Sequence, residues 1–248
     1  MIGISGPNRT FSRRSLHGQV AHEIGKRIVS GEFPPGSLLP NEVQFSENMQ
    51  VSRTAFREAM KVLAAKGLIE SRPKIGTTVR PTNRWNTLDP DIISWIFASG
   101  PDPRYAADLF ELRRILEPAA AGLAARRHTP ETFAPIEQAY LDMEAAGEDL
   151  ELGLEPDLRF HQAIFNATGN DLLAPMVFLI ESALAETIKL SNSTPGARLT
   201  SIPRHKDILE AIRRRDRAGA EQACLVLLGE ALTDIEKVLG TPSAGEET

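Results

Sequence analysis

Between residues 37 and 80 the chain sets apolar, capping and basic residues in an order that few small folds can use. Pro40 precedes a short segment carrying Val43, Phe45 and Met49. Ser52 follows, and Ala55, Phe56, Ala59, Met60 and Leu63 then recur at three- and four-residue spacing. Proline costs nothing at a helix start, where its missing N–H has no partner to lose. The Ser52 hydroxyl can accept an orphan amide proton of the helix that follows it. The spacing therefore predicts a first helix over Glu42–Asn48, a tight turn, and a second helix that Gly67 ends in left-handed backbone. Leu68–Ser71 and Thr77–Val79 alternate as two short strands, with Pro73–Gly76 as the turn between them. Helix, turn, capped helix and hairpin together make a winged helix-turn-helix.

Arg53, Thr54, Arg57 and Lys61 fall outside the apolar stripe of the second helix, and Arg72 and Lys74 lie on the hairpin. Arginine on the first turns of such a helix can pair with guanine in the major groove, each bidentate pair giving about 1–3 kcal/mol of discrimination. Charge follows the same division. Residues 1–80 hold 12 Lys and Arg against 6 Asp and Glu, which from chain totals of 28 and 33 leaves 16 against 27 beyond. A basic module that reads a polyanion is thus joined to an acidic remainder with another task.

At 248 residues the chain is long enough for two domains. Its one cysteine, Cys224, lies in an apolar run, which fits a packed thiol in a reducing cytosol rather than a disulfide framework. No stretch is long or apolar enough for a bilayer, and Met1–Arg14 lacks the apolar core of a signal peptide. The reading expected is a cytoplasmic protein with a flexible arm over 1–14, the reader over 15–80 and a linker over 81–90. An all-α bundle over 91–240 and a flexible tail over 241–248 complete it. Helical spacing runs over Asp91–Ser99, Pro103–Arg127, Pro130–Gly147, Glu151–Thr168, Asp171–Leu190, Pro203–Ala218 and Ala220–Leu239. Gly100, Gly147, Gly169 and Gly219 mark expected ends.

Within the expected bundle, Asp157 and His161 stand four residues apart on one helix face, and His205 opens another helix after Pro203. A carboxylate and two imidazoles in a bundle interior can hold a first-row metal ion with positions left open. On spacing alone, an Asp157–His161 ion pair on a helix surface is the competing reading.

The reader segment resembles the GntR family of bacterial regulators, and the bundle resembles the FadR branch of that family with its FCD ligand-sensing domain. The pieces that carry the resemblance are Glu111-Leu-Arg-Arg-Ile-Leu-Glu117, Asp157-Leu-Arg-Phe-His161 and His205-Lys-Asp-Ile-Leu-Glu-Ala-Ile212. The stretch from Asn83 to Trp95 is similar to the linker of regulators of galactonate and related sugar acids. The resemblance implies DNA contacts from Ser52, Arg53, Thr54 and Arg57, and from Lys74 and Gly76 at the wing tip. It implies a divalent ion, zinc or another, on Asp157, His161 and His205. It also implies an effector-facing Arg113, favoured over the competing reading of a surface arginine because a bidentate guanidinium suits an organic acid. A homodimer on a palindromic operator, released by a small hydroxy-carboxylate, is the expected working form. Two departures stand out: Leu227 occupies the place of a third histidine, and Gln44 the place of a basic residue. The competing classes are a metal-dependent enzyme and an architectural DNA-binding protein. No nucleophile or general base accompanies the Asp157 group, and an architectural protein would leave that group and Arg113 idle.

Overall fold

The computed structural model describes residues 15–43, 45, 51–100, 103–192 and 196–239, the side chains of 178–180 and 183 excepted. The expected arm, the tail, Gln44 and most of the expected first helix of the reader lie outside the described residues. The chain divides into two compact units, Met1–Pro101 and Asp102–Thr248.

The N-terminal unit opens with α1 (Leu16–Val29), capped by Ser15, whose hydroxyl accepts from the Gly18 amide. Val20, Ala21, Ile24 and Ile28 form its buried stripe. Helix α2 (Arg53–Ala65) is capped as the sequence predicts, with the Ser52 hydroxyl accepting from the Ala55 amide at 3.2 Å. Ala55, Phe56, Ala59 and Leu63 point inward, and Phe56 stacks on the buried Phe45. Strands β1 (Ile69–Arg72) and β2 (Gly76–Val79) pair antiparallel from Ile69 opposite Val79 to Arg72 opposite Gly76. Leu38 adds a bridge to Thr78.

The expected linker is not a free connection. The Arg80 amide donates to the Leu68 carbonyl and the Asn86 amide to the Lys66 carbonyl, so this stretch straps the end of α2. Gly67 is required there: its φ is +78°, and an added Cβ would stand 2.4 Å from the Arg84 carbonyl oxygen. Helix α3 (Pro90–Ala98), capped by the Asp89 carboxylate, also belongs to this unit and not to the bundle. The boundary expected at residue 91 therefore falls eleven residues later, at Asp102. The physical cause is Trp95, fully buried in the N-terminal core, its indole N–H donating to His22 Nδ1 at 2.7 Å. The ring lies where a Cβ on Gly25 would be, 2.3 Å away.

The C-terminal unit is an all-α bundle of α4 (Pro103–Arg127), α5 (Pro130–Ala146), α6 (Leu150–Ala167), α7 (Met176–Ser191), α8 (Ala197–Arg213) and α9 (Arg217–Leu239). Helix α9 packs along α4 and α8, α5 packs on α6, and α6 lies between α4 and α7. The core runs through Phe110, Ala121, Met143, Phe160, Phe165, Ile208 and Leu228. Three boundaries differ from the sequence reading. Helix α7 starts at Met176 because the Asn170 carboxamide oxygen accepts from the Leu172 and Leu173 amides and folds 171–175 into a turn. Helix α8 starts before Pro203, since buried Ala197, Arg198 and Ile202 hold its first turns despite the missing amide. Gly219 lies inside α9; the break falls at Arg215, φ +58°, with the Asp216 carboxylate accepting from the Gly219 amide.

Candidate functional site

On the reader, Ser52, Arg53, Thr54, Arg57 and Lys61 are all exposed along one side of α2. Between this side and the wing runs an open groove of about 720 Å³, bordered by Arg57, Lys61, Ser71 and Thr77. Arg57 is not a loose side chain. Its Nε donates to Glu42 Oε2 at 3.0 Å while the side chain stays 70% exposed. Held by Nε, the guanidinium presents its terminal nitrogens outward, the fork that bidentate recognition needs. At the wing tip Lys74 is exposed and adopts φ +66°, a conformation that strains a residue with a Cβ. The three-residue turn Pro73–Ile75 forces it there.

In the bundle, α6 presents Asp157 and His161 and α8 presents His205, all buried. His161 Nε2 and His205 Nε2 each lie 3.4 Å from Asp157 Oδ1. Ligands about 2.0–2.2 Å from one ion stand roughly 3.0–3.5 Å apart at octahedral or tetrahedral angles. One ligand atom from each of the three residues falls within 4.8 Å of the others. Phe160 packs edge-on against both imidazoles.

The far side of each ring is also occupied. His205 Nδ1 lies 2.8 Å from the Ser201 carbonyl, which can only accept, so that nitrogen carries the proton and Nε2 faces the site. His161 Nδ1 lies 3.0 Å from Glu117 Oε2. Asp157 Oδ1 and His205 Nε2 are buried without a hydrogen-bond partner among the described residues. Orphaned acceptors facing one another are costly unless something positive sits between them. The donor set therefore fits a divalent ion.

The charged groups of the site also set one another's ionisation. Burial alone would raise the Asp157 carboxyl, but His205 and His161 outweigh it and hold the acid strongly ionised. Burial also opposes ionisation of Glu117, yet Arg113 and His161 bring it down to about 2. Burial would lower His161; Glu117 and Asp157 raise it to about 9. Without an ion, the two carboxylates are thus held ionised by the imidazoles and Arg113.

Arg113, one turn before Glu117 on α4, is buried and lines the same cavity as the three ligand candidates. Its Nε donates to Glu117 Oε1 at 2.7 Å and its Nη1 to Thr187 Oγ1 at 3.0 Å. Leu227 also lines this cavity, so an apolar side chain closes the side where a further histidine would have stood. Ser191, Asn192 and Ser201 supply polar lining. Sequence reasoning missed Glu117, although its four-residue spacing from Arg113 was legible as a same-face pair. The Ser201 carbonyl had no sequence signal, because a backbone contact depends on where α8 begins.

Comparison with known proteins places both halves. Residues 16–79 match the model for bacterial regulatory proteins of the gntR family, and residues 108–230 match the FCD domain. The chain is 34% identical over 216 residues to the galactonate operon transcriptional repressor of Escherichia coli K12, covering 87% of this chain and 94% of that one. The chain belongs to the GntR family of bacterial regulatory proteins. It is 32% identical over 217 residues to the transcriptional regulator LutR of Bacillus subtilis, covering 86% of this chain and 95% of that one. The structure of Lar from Listeria monocytogenes shares the fold, with a TM-score of 0.67 at 17% identity over 92% of this chain and 99% of that one. The GntR-family chain is a DNA-binding transcriptional regulator with an FCD domain, and its curated relatives are transcriptional regulators, not enzymes. Among the described residues no helix is long and apolar enough to cross a membrane.

Proposed function

We propose that this regulator represses a sugar-acid catabolic operon and leaves its operator when a small hydroxy-carboxylate binds in the bundle. The observation that carries the proposal is the convergence of Asp157, His161 and His205 beside the buried Arg113. In this reading the three residues hold a divalent ion, zinc by the nitrogen-rich donor set, and the ion offers positive charge and open positions for oxygen donors. Arg113 recognises the carboxylate. The relative that represses a galactonate operon directs attention to aldonates such as galactonate.

The cavity volume is only about 30 Å³, room for an ion with one or two waters. A hydroxy acid enters only if the lining parts around Ser191, Asn192 and Ser201. A ligand shifts an equilibrium only through its different affinity for two arrangements, and this opening supplies such a difference. On the DNA side, Ser52, Arg53, Thr54 and Arg57 read bases and neighbouring phosphates, with Lys74 and Gly76 at the wing. One helix reads few base pairs, so a homodimer on a palindromic operator provides the needed site length. Working on the chromosome, the protein would be cytoplasmic.

The test is a mobility-shift titration with galactonate, gluconate and lactate, on zinc-loaded and chelated protein. Release by an aldonate, lost in Arg113→Ala with operator affinity intact, supports the proposal. An Arg113→Ala protein that responds at wild-type concentrations removes the carboxylate role, and a response confined to amines or thioesters removes the effector class.

A further inference from the structure

The Glu117 carboxylate stands between the two functional parts of the bundle site. It is 2% exposed, and its two oxygens face different partners. Oε1 accepts from Arg113 Nε at 2.7 Å, and Oε2 lies 3.0 Å from His161 Nδ1. Oε2 is buried and has no aligned hydrogen bond among the described residues, so the approach to His161 is incomplete. We propose that Glu117 is a positioning residue: it orients the His161 ring for the ion and, with the same carboxylate, holds the arginine that meets the effector. This deepens the metal reading above and rests on it.

Three physical points support the assignment. First, a ligating imidazole uses one nitrogen for the ion, and a carboxylate on the other sets its tautomer and raises its basicity. Glu117 is the group at that second nitrogen of His161, as the Ser201 carbonyl is at that of His205. Second, Arg113 and Glu117 are one turn apart on α4, so the helix itself fixes their spacing. Third, the charge of the loaded site depends on this residue. With neutral imidazoles, Arg113 and Glu117 cancel, and a divalent ion beside Asp157 leaves a net single positive charge. That balance suits one effector carboxylate. It also means that an anion meets an arginine already engaged at Nε by Glu117 and at Nη1 by Thr187, and must share it.

The experiment measures Zn2+ affinity of the full chain by competition with a chromophoric chelator, together with the visible absorption of the Co2+-loaded protein. Glu117→Gln should weaken Zn2+ binding about 10–100-fold and shift the Co2+ ligand-field bands, the range seen when an outer-shell partner of a metal ligand is lost. The double variant Arg113→Met with Glu117→Met removes the buried pair together and leaves no lone charge, so the fold should survive. It should show the same loss of Zn2+ affinity and the same shift of the Co2+ bands. Unchanged Zn2+ affinity and Co2+ bands in Glu117→Gln or in the double variant overturn the positioning role. Absence of Zn2+ and Co2+ binding by the wild-type chain sinks the metal reading itself and this inference with it.

Discussion

Each unit buries a cluster of charges, and the two clusters are built differently. In the reader, Lys66 Nζ donates to Asp89 Oδ1 and Oδ2 at 2.7 and 2.8 Å and lies 2.9 Å from Asp91 Oδ2. Lys66 is the C-cap of α2 and Asp89 the N-cap of α3, so both helix ends and all three side chains gain a partner. In the bundle, Arg113, Glu117, Asp157, His161 and His205 lie together, yet Glu117 Oε2, Asp157 Oδ1 and His205 Nε2 end without aligned partners. A closed cluster holds elements in place. An open one keeps its ligand atoms ready for something not made of protein. Burial and charge alone do not separate the two; hydrogen-bond completion does.

The sharpest way to break this comparison is to remove one member from each cluster. Lys66→Ala removes the ammonium shared by the buried Asp91 and the partly buried Asp89 and should cost about 3–5 kcal/mol in denaturant unfolding of the reader. His205→Ala instead removes one side of an incomplete cluster. Its cost to the chelated protein should be far smaller, while the rise in melting temperature on adding Zn2+ disappears. Equal losses in both variants under chelation would show that the bundle cluster is also a structural tie.

Acidity sharpens the contrast next. In the chelated protein His161 is raised to about 9 from an unfolded value near 6.5. A raised histidine contributes stability that is fully present below about 6.5 and is lost as pH rises through about 9. Zinc requires Nε2 without its proton, so its stabilisation grows over the same window. The gap in melting temperature between zinc-loaded and chelated protein should therefore widen from pH 6.5 to 9. A gap that narrows with pH contradicts ligation by His161.

The same distinction explains how much was legible in the residues. The winged helix-turn-helix was readable because caps, apolar spacing and turn glycine are local, and Ser52, Phe56 and Gly67 do what those rules require. The bundle helices were readable where apolar residues repeat, and His161 and Asp157 share a face by spacing alone. The helix over 91–98 was expected in the bundle because Trp95 carries no sign of which core it enters; that depends on a gap at Gly25, seventy residues earlier. The role of Glu117 was hidden for the same reason. An i to i+4 pair looks identical on a surface and in a core, and only the arrival of His161 from α6 distinguishes them.

Reading of DNA should be lost by a smaller free energy than the reader's fold. Arg53→Ala and Arg57→Ala should each remove about 1–3 kcal/mol of operator discrimination at matched salt, with unfolding transitions unchanged. Arg57→Ala also strips Glu42 of its partner, whereas Arg53 has no ion-pair partner among the described residues. A double variant that still separates operator from random DNA at wild-type ratios refutes the assignment of α2 as the reading helix.

The smallest effect belongs to the wing tip, and it separates charge from backbone at one residue. Lys74 has φ +66° and no ion-pair partner among the described residues, so its charge is available to a phosphate while its backbone is strained. A Cβ in left-handed backbone costs on the order of 1 kcal/mol, a penalty that glycine escapes. Lys74→Ala and Lys74→Gly both remove the charge, and both should lower the salt dependence of DNA binding by about one counterion while weakening operator and random DNA alike. Only the glycine variant relieves the strain. Its reader unit should therefore unfold at higher denaturant than the alanine variant, by on the order of 1 kcal/mol. Denaturation of the two variants in parallel with salt titrations on DNA measures both quantities. If the variants match in stability, the turn is not strained as its geometry indicates. If the salt slope is unchanged in both, Lys74 does not meet a phosphate and the wing serves only to brace α2.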